Sequence, residues 1–194
     1  MKYKRLMKEE LFLILPDYEI IDMIKKKEIK IEPFNEENVG PCSVDLHLDN
    51  IFSVFKMGIV VDPKDKESIN SAIENIQVKD NEFFIIAPGQ FVLAGTVETI
   101  SIPKNIAATL EGLSSLARLG LTVHAAGLVN AGTGIQKPTT LTLEITCQNS
   151  SPVKLYPGMR IVQIIFHRLE SGAKTGYDER KTSRYIGQKK QILI

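Results

Sequence analysis

Cysteine is scarce in this sequence, and neither copy has a partner close by. Cys42 and Cys147 are its two cysteines, and they lie far apart and outside any C-x-x-C spacing. Small secreted domains that depend on disulfides carry several spaced pairs, whereas cytosolic proteins keep their thiols reduced. The scarcity therefore argues against a disulfide framework and favours a reducing compartment.

Long apolar segments are also missing. Basic residues open the chain, but an acidic pair follows Lys8 and the apolar run 11–15 ends at Pro16. This run is shorter than the hydrophobic region of a secretory signal or a membrane span. We therefore expect a cytoplasmic protein without a membrane partner.

Neither sign of charge dominates the composition. Lys and Arg number 24 and Asp and Glu 23, which gives a net charge of +1 over 194 residues. Proteins that coat nucleic acids need a strongly basic surface, so no nucleic-acid partner is expected. A small basic pocket for a compact anion remains compatible with this balance. The length suits one domain with a full core.

Several familiar catalytic motifs are absent. No H-x-E precedes a P-C-x-x-C string, which excludes the zinc site of the common nucleobase deaminases. His47, His124 and His167 lack the spacing of metal ligands, and we expect them in the core or on the surface. The sequence also has no Walker A string, Rossmann glycine pattern or G-x-S-x-G elbow. It therefore predicts no metal site built from side chains.

The chain does contain many short apolar runs. After Pro16, residues 17–27 predict an amphipathic helix capped by Asp17, with acidic residues early and lysines late. Residues 62–80 predict a polar excursion with a helical turn around Ala72. Strands are predicted at 43–48, 51–55, 83–86, 91–94, 97–102, 107–110, 121–124, 139–146 and 160–167. This series indicates an all-β barrel or sandwich.

The composition changes near residue 171. Residues 1–171 carry the helix and the strands, whereas 172–194 are basic, contain Gly and Ser, and show little periodicity. We expect 1–171 to form one β-barrel domain and 172–194 to be a flexible C-terminal segment.

The stretch 110–120 is the first candidate for chemistry. Gly112 precedes Ser114 and Ser115, and backbone N–H groups and hydroxyls in such a turn can face an anion. Arg118 follows three or four residues later, on the same side of a helical turn. The alternative is a capped one-turn helix with Arg118 in a structural salt bridge. The spacing alone favours this alternative.

The second candidate is Glu144, in the strand predicted at 139–146. Alternation places Leu141, Leu143 and Ile145 on one side, and Glu144 with its neighbouring threonines on the other. If the polar face is solvated, Glu144 is a surface charge, which is the commoner case. If that face lines a cleft, Glu144 is a candidate general base. The pattern leaves both alternatives open.

Five strings in order resemble motifs of the dCTP deaminase branch of the dUTPase superfamily. They are P-x-S-x-D-L-x-L at 41–48, G-L-S-S-x-x-R-x-G-L at 112–121, A-G-x-V-N-x-G at 126–132, T-L-E at 142–144 and P-G-M-x-I-x-Q at 157–163. Residues 176–188 are similar to the tail that covers the phosphates in that family. Each string alone is weak, but their number and order carry the resemblance across nearly the whole chain.

The resemblance implies a distorted β-barrel that assembles as a homotrimer with active sites between subunits. It implies dCTP as the substrate, dUTP and ammonia as the products, and Mg²⁺ bound through the substrate triphosphate. Thymidine triphosphate is the regulator that the family leads us to expect.

The resemblance also assigns roles to individual residues. Glu144 would take a proton from the water that attacks C4 of cytosine and deliver it to the ring and the leaving ammonia. Ser114 and Arg118 would orient this water and stabilise the developing charge. The nucleotide would be held by the backbone near Ala126 at the base, by Asn130 at the sugar, and by Ser115, Tyr177, Arg184 and Gln188 at the phosphates. The tail would close over it as a lid that excludes water.

Some positions depart from the family pattern. Leu113 stands where the family has a phosphate-binding Arg, so a bidentate contact is lost. Asn130 stands for a sugar-binding Asp, and an amide can hydrogen-bond a hydroxyl but cannot act as a base. Thr133 replaces an aromatic residue. The stretch 130–144 is longer than the family spacing by about four residues, judged from the period of the strands.

Three hypotheses about function follow. The leading one is a deaminase that forms dUTP. A bifunctional enzyme would continue to dUMP and diphosphate, which the tail favours and Asn130 opposes. A non-catalytic trimer that binds a nucleotide is the third, and Leu113 and Asn130 favour it.

Overall fold

The described part of the chain is built mainly from antiparallel strands. The computed structural model describes residues 14–79, 81–124 and 127–189. Helices are α1 Asp17–Lys25, α2 Lys66–Ala72 and α3 Ser114–Ala117, with 3₁₀ turns at Glu36–Asn38 and Tyr177–Glu179. Strands are β1 Lys30–Glu32, β2 Val39–Gly40, β3 Ser43–Phe55, β4 Ile73–Gln77, β5 Phe84–Ile86, β6 Phe91–Ser101, β7 Ile106–Gly112, β8 Leu121–His124, β9 Leu128–Val129, β10 Thr139–Cys147, β11 Val153–Leu155 and β12 Arg160–Arg168. None of the helices in these residues is long and apolar enough to cross a bilayer.

Ten of these strands form one curled sheet. Its main path runs β8-β10-β6-β3-β12-β7-β9, while β1 pairs with β6, and β2 and β4 pair with β3. The remaining strands, β5 and β11, pair with each other. The predicted all-β fold with a short N-terminal helix is confirmed, in the form of a curled half-barrel.

Two strands are longer than the sequence predicted. Residues 43–48 and 51–55 continue without a break as β3, and residues 91–94 and 97–101 continue as β6. The strand β3 pairs with β12 over its first half and with β6 from Leu48 onward, with a register shift between Leu48 and Phe52. Such a change of partner interrupts the period of two in the sequence while the backbone stays extended.

The core lies inside the curl of the sheet. Val44, Leu46 and Leu48 alternate along β3 and are each at most 1% exposed. Phe52 stacks on Phe84 of β5, with ring centroids 4.5 Å apart. Burying a side chain of this kind contributes roughly 1.5–3 kcal/mol, so these strands are held mainly by the hydrophobic effect.

The helix α1 matches its predicted span but not its predicted cap. Pro16 occupies the cap position and Asp17 is the first helical residue, so the Asp17 carboxylate does not cap the helix. Instead, the Asp17 backbone N–H donates to the carbonyl of Pro41 at 3.0 Å, which starts the helix one residue earlier. Ile20 and Met23 are buried and join the core.

The three histidines lie in the core wall or on the surface, as predicted. His47 is half-buried beside Glu98, whose carboxylate accepts its backbone N–H at 2.9 Å and contacts its ring Nδ1. His167 Nε2 lies 2.9 Å from the Thr109 hydroxyl, and His124 is exposed. Both cysteines are free thiols.

The C-terminal segment runs back along the barrel as far as Lys189. Ala173 donates its N–H to Lys104 at 2.8 Å, and Tyr177 donates to Ala131 at 2.9 Å. Farther on, the Gln188 carbonyl accepts the N–H of Thr140, at 2.9 Å. The structure thus shows the segment packed on the barrel, and its opening as a lid stays a prediction.

Candidate active site

A cavity of about 520 Å³ lies between β10, β9 and the C-terminal segment. One wall is apolar and includes Leu93, Leu110, Leu128 and Leu141, with Phe55 and Phe91. The other wall is polar and includes Asn130, Thr133, Thr142, Glu144, Tyr177 and Gln188. Four residues that the sequence predicted for one site therefore meet here: Glu144, Asn130, Tyr177 and Gln188. A pocket of this size and mixed lining suits a small organic ligand.

Glu144 is placed on the cavity wall by the strand β10. Its backbone lies opposite Leu93 of β6 on one side and His124 of β8 on the other, so the position is fixed from both sides. The side chain is half-buried, and no hydrogen bond or ion pair joins it to another described residue. Its carboxylate is therefore free to meet a ligand or a water molecule, which resolves the two alternatives in favour of the cleft.

An irregularity in the pairing of β10 with β6 lies beside Leu141, at the border between the core and the cavity. The register with β6 shifts between Thr140 and Thr142, which is the signature of a β-bulge. Leu143 and Ile145 are buried as predicted, but Leu141 is half-buried and lines the cavity, while Thr140 is buried. The extra residues of this irregularity lie in β6, since Thr140 pairs with Thr99 and Thr142 with Gly95. Leu141 still packs against the core that contains Leu143 and Ile145, so it shares their face as predicted and also borders the cavity.

A tight turn after β9 presents Asn130 and Thr133. The Asn130 carbonyl accepts the Thr133 backbone N–H at 3.1 Å and its hydroxyl at 2.7 Å. Gly132, at φ +78°, allows the chain to turn between them. Thr133 is 6% exposed and, in place of the aromatic residue of the family pattern, leaves a small polar surface here.

The C-terminal segment supplies the remaining polar wall. Gln188 is buried, and its side-chain amide donates to the Thr142 hydroxyl at 3.0 Å. Tyr177 and Tyr185 line the cavity as well, whereas Arg184 is exposed and does not. Sequence analysis missed Tyr185, although its position next to Arg184 in the tail string was the available signal.

Ser114, Ser115 and Arg118 do not join the cavity of their own chain. They lie on or directly after α3, a single turn between β7 and β8, and all three are exposed. Leu116 points inward, and Leu113 packs against the core. The one-turn helix of the simpler alternative is present, but it has no side-chain cap, and Arg118 forms no ion pair with a described residue.

Ala126, expected to present its backbone to the base, lies outside the described residues. The described neighbours on either side are His124, at the end of β8, and Gly127.

The charges around the cavity are sparse. Glu144 is the one charged side chain among the described residues that line it. No group of three or more His, Cys, Asp or Glu side chains in the described ranges could hold a metal ion. A single carboxylate is too few ligands for a Mg²⁺ cage, so the described residues of this cavity do not hold Mg²⁺ by themselves.

Ionic contacts fix the start of the C-terminal segment. The Glu179 carboxylate accepts the Gly176 N–H at 2.7 Å and lies 3.2 Å from the Lys104 ammonium. These contacts, the Gly176 hydrogen bond first, hold the pKa of the Glu179 carboxyl below its usual range. Glu179 is therefore ionised at neutral pH and keeps this turn on the barrel.

A second cavity of about 340 Å³ lies against the first. The two share Leu128, Asn130 and Tyr177, so these residues form the partition between them. Arg180 lines the second cavity and brings a guanidinium close to that partition.

Comparison with known proteins shows the family to which this chain belongs. The model of the dCTP deaminase-like family matches residues 14–169. The chain belongs to this family. The structure of 2′-deoxycytidine 5′-triphosphate deaminase from Agrobacterium tumefaciens is similar in fold, with a TM-score of 0.62 at 21% identity, over 80% of this chain and 48% of that one.

Relatives resemble the chain over most of its length. The "dCTP deaminase, dUMP-forming" of Methanoregula boonei is 41% identical over 93% of this chain and 96% of its own. The protein with the same name from Nanoarchaeum equitans is 42% identical, over 91% and 94%. The "dCTP deaminase" of Thermomicrobium roseum is 42% identical, over 91% and 90%. The suspected relationship to dCTP deaminases is thereby confirmed.

Proposed function

We propose that this dCTP deaminase family member converts dCTP to dUMP, ammonia and diphosphate, using two water molecules. The observation that carries the proposal is Glu144, an unpaired carboxylate in a cavity whose other polar groups are neutral. Relatives named as dUMP-forming favour this product over the dUTP that the sequence led us to expect. The leading hypothesis is therefore revised toward the bifunctional one.

In the first step, water adds to C4 of cytosine. The Glu144 carboxylate takes a proton from this water, so that hydroxide forms the new bond to carbon. Glu144 gives this proton to the ring nitrogen N3. The new C4 hydroxyl then loses its proton, by way of Glu144, to the amino group, which leaves as ammonia while the C4 carbonyl of uracil forms. The half-buried position of Glu144 keeps the carboxylate partly shielded from bulk water.

In the second step, water attacks the α-phosphorus of dUTP and diphosphate leaves. Mg²⁺ bound through the phosphates would neutralise charge that builds on the leaving oxygens. Asn130 would hydrogen-bond the sugar 3′-hydroxyl, but an amide does not take a proton from the second water. This feature favours a second candidate function, a deaminase that stops at dUTP.

The proposed active enzyme is a homotrimer with sites between subunits. Ser114, Ser115 and Arg118 are exposed and outside the cavity of their own chain. Side chains of this kind are available to a neighbouring copy, where Ser114 and Arg118 would orient the attacking water and Ser115 a phosphate. In the same way, Tyr177, Arg184 and Gln188 of the tail would bind the triphosphate. Ala126 would contribute its backbone to the base.

The proposed setting is the cytoplasm, with free nucleotide as the ligand and neither nucleic acid nor membrane as a partner. The near-zero net charge supports this, because a polyanionic surface would select for a basic protein. Regulation by thymidine triphosphate would act through the same cavity.

One assay separates the candidates. Purified protein is incubated with dCTP and Mg²⁺, and the nucleotides are resolved over time. Formation of dUMP supports the proposal, and accumulation of dUTP without dUMP supports the deaminase alone. Unchanged dCTP at high protein concentration contradicts both and leaves the non-catalytic trimer.

A further inference from the structure

A buried carboxylate outside the proposed chemistry ties the C-terminal segment to the barrel. Asp178 is 4% exposed. Its Oδ1 accepts the N–H of Gly134 at 3.2 Å, and its Oδ2 accepts the N–H of Gln136 at 3.0 Å. No Lys, Arg or His of the described residues forms an ion pair with it. The two loop N–H groups therefore compensate the charge of the Asp178 carboxylate.

The backbone on both sides reinforces this contact. The Gln136 side-chain amide donates to the Asp178 carbonyl at 3.0 Å, and the Tyr177 N–H donates to the Ala131 carbonyl at 2.9 Å. We name the set formed by Asp178, Tyr177 and the loop 131–136 the clasp. Removing the hydrogen-bond donors of a buried carboxylate destabilises the folded protein strongly. The clasp therefore strongly favours a single geometry.

Two glycines, Gly132 and Gly176, allow the loop and the C-terminal segment to come into contact at the clasp. A Cβ atom added to Gly132 would lie 2.5 Å from the Gly176 Cα, closer than real Cβ atoms come to backbone. Gly132 also has φ +78°, which an L side chain rarely adopts. Any side chain at Gly132 would therefore push the tail away from the loop. This gives a way to open the clasp without altering Asp178.

The clasp holds the partition between the two cavities. Tyr177 is the residue before Asp178, and Asn130 directly precedes the loop that Asp178 binds. Both residues line both cavities. The separation of Tyr177 from Asn130 is thus set by the Asp178 contacts, at the place proposed for the sugar and phosphates.

We propose that Asp178 is a positioning residue for nucleotide binding, acting through the clasp on Asn130 and Tyr177. This inference rests on the proposed function and deepens it. Asp178 itself lies behind the partition and does not line either cavity. It therefore governs how well the nucleotide is held, and it leaves the proton transfers at Glu144 unaffected.

The test compares two buried carboxylates. In Asp178→Ala, we expect the KM for dCTP to rise about tenfold or more, because the binding groups are no longer preorganised. The kcat should stay within about threefold of the wild-type value. Glu98→Gln is the matched control, since Glu98 is 3% exposed and its carboxylate accepts the backbone N–H of His47 rather than an N–H of the loop. It should lower the melting temperature with an unchanged KM.

Two further variants separate positioning from folding. Gly132→Ala should raise KM in the same way, because it opens the clasp sterically. Asp178→Asn should fall between wild type and Asp178→Ala, since its one carbonyl oxygen can accept only part of the loop N–H bonds. These two variants decide the question if Asp178→Ala does not fold.

Hydrogen exchange gives a readout that does not depend on activity. The amides of Gly134 and Gln136 should exchange much faster in Asp178→Ala than in wild type, while amides of β10 stay protected. Faster exchange with an unchanged KM overturns the positioning role. A wild-type protein that neither binds nor converts dCTP instead refutes the proposed function.

Discussion

At the scale of residues, the chemistry proposed for the cavity depends on one unpaired carboxylate, that of Glu144. Glu144 has no described ionic partner, whereas Asp178 and Glu98 accept hydrogen bonds from backbone N–H groups. A hydrogen-bonded carboxylate is held in place, and an unpaired one is available to accept and release a proton. Of these three acids, Asp178 and Glu98 thus serve the structure, and Glu144 is left for the proposed chemistry.

Glu144→Gln should abolish deamination and leave the fold intact. Glutamine keeps the shape of the side chain but cannot take a proton from water, so we expect kcat to fall by at least roughly 10²-fold, the range typical of a general base. Ammonia release from dCTP is the measurement, with Glu74→Gln on the exposed strand β4 as the matched control. Normal turnover in Glu144→Gln would remove this residue from its role.

Asn130→Asp should speed the second step of the proposed reaction. An aspartate at this position can act as a base for the water that attacks phosphorus, which an amide cannot do. With dUTP as the substrate, we expect diphosphate release to increase by about tenfold or more. A rate that stays the same or falls would show that Asn130 does not limit phosphate chemistry.

Residue roles were only partly readable from the sequence. The T-L-E string located Glu144, yet its pattern allowed a solvated position as easily as a cleft. What decides between them is the wall opposite, formed by β9 and the tail, and these segments are distant in sequence. Glu144 has no described partner because of how these segments are arranged around it in the fold.

At the scale of elements, α1, the long strands and the short strands β5 and β8 were predictable, whereas β1, β2, β4, β9 and β11 were not. The strand β9 has two residues and β1 has three, so neither contains enough of the period of two to be recognised. In the strand β4, four of the five residues are exposed to solvent, so its sequence shows no buried face. The strand forms because β3 extends far enough to pair with it. Pairing, and not propensity, creates these strands.

The C-terminal segment is the element with the clearest separate effect. Deleting residues 173–194 removes Tyr177, Tyr185 and Gln188 from the cavity wall, while the apolar core residues all precede the deletion. We expect the Kd for dCTP to rise by about 10²-fold or more, because a whole wall of contacts is lost.

Calorimetric binding and thermal unfolding, measured on the same truncated protein, test this expectation. The melting temperature should fall by only a few degrees, about the shift that 1 kcal/mol produces in a chain of this size. Equal losses of binding and of folding would contradict a tail that acts mainly on the ligand.

At the scale of the whole molecule, the candidate site is divided between two surfaces. Glu144 and Asn130 line the cavity, whereas Ser114 and Arg118 are exposed on and after α3. The sequence strings put all of them in one site but carried no information about which copy of the chain supplies each.

Mixing two inactive variants should therefore restore activity. Glu144→Gln chains still provide Arg118, and Arg118→Ala chains still provide Glu144. If each site takes these residues from different subunits, an equal random mixture should recover about a quarter of the wild-type sites. Co-refolded mixtures are assayed for ammonia release against each variant alone. Absence of recovery would place both residues in the same subunit's site.

The short connection between β8 and β9 limits how far apart the two ends of the main sheet path can lie. These strands stand at opposite ends of the main sheet path, yet only residues 125–127 separate them in sequence. So short a connection spans at most roughly 15 Å between His124 and Leu128, which keeps the two rims of the sheet near each other. One rim borders the strand of Glu144 and the other leads into Asn130. The length of this connection thus limits how far the strand that carries Glu144 can lie from the turn that carries Asn130.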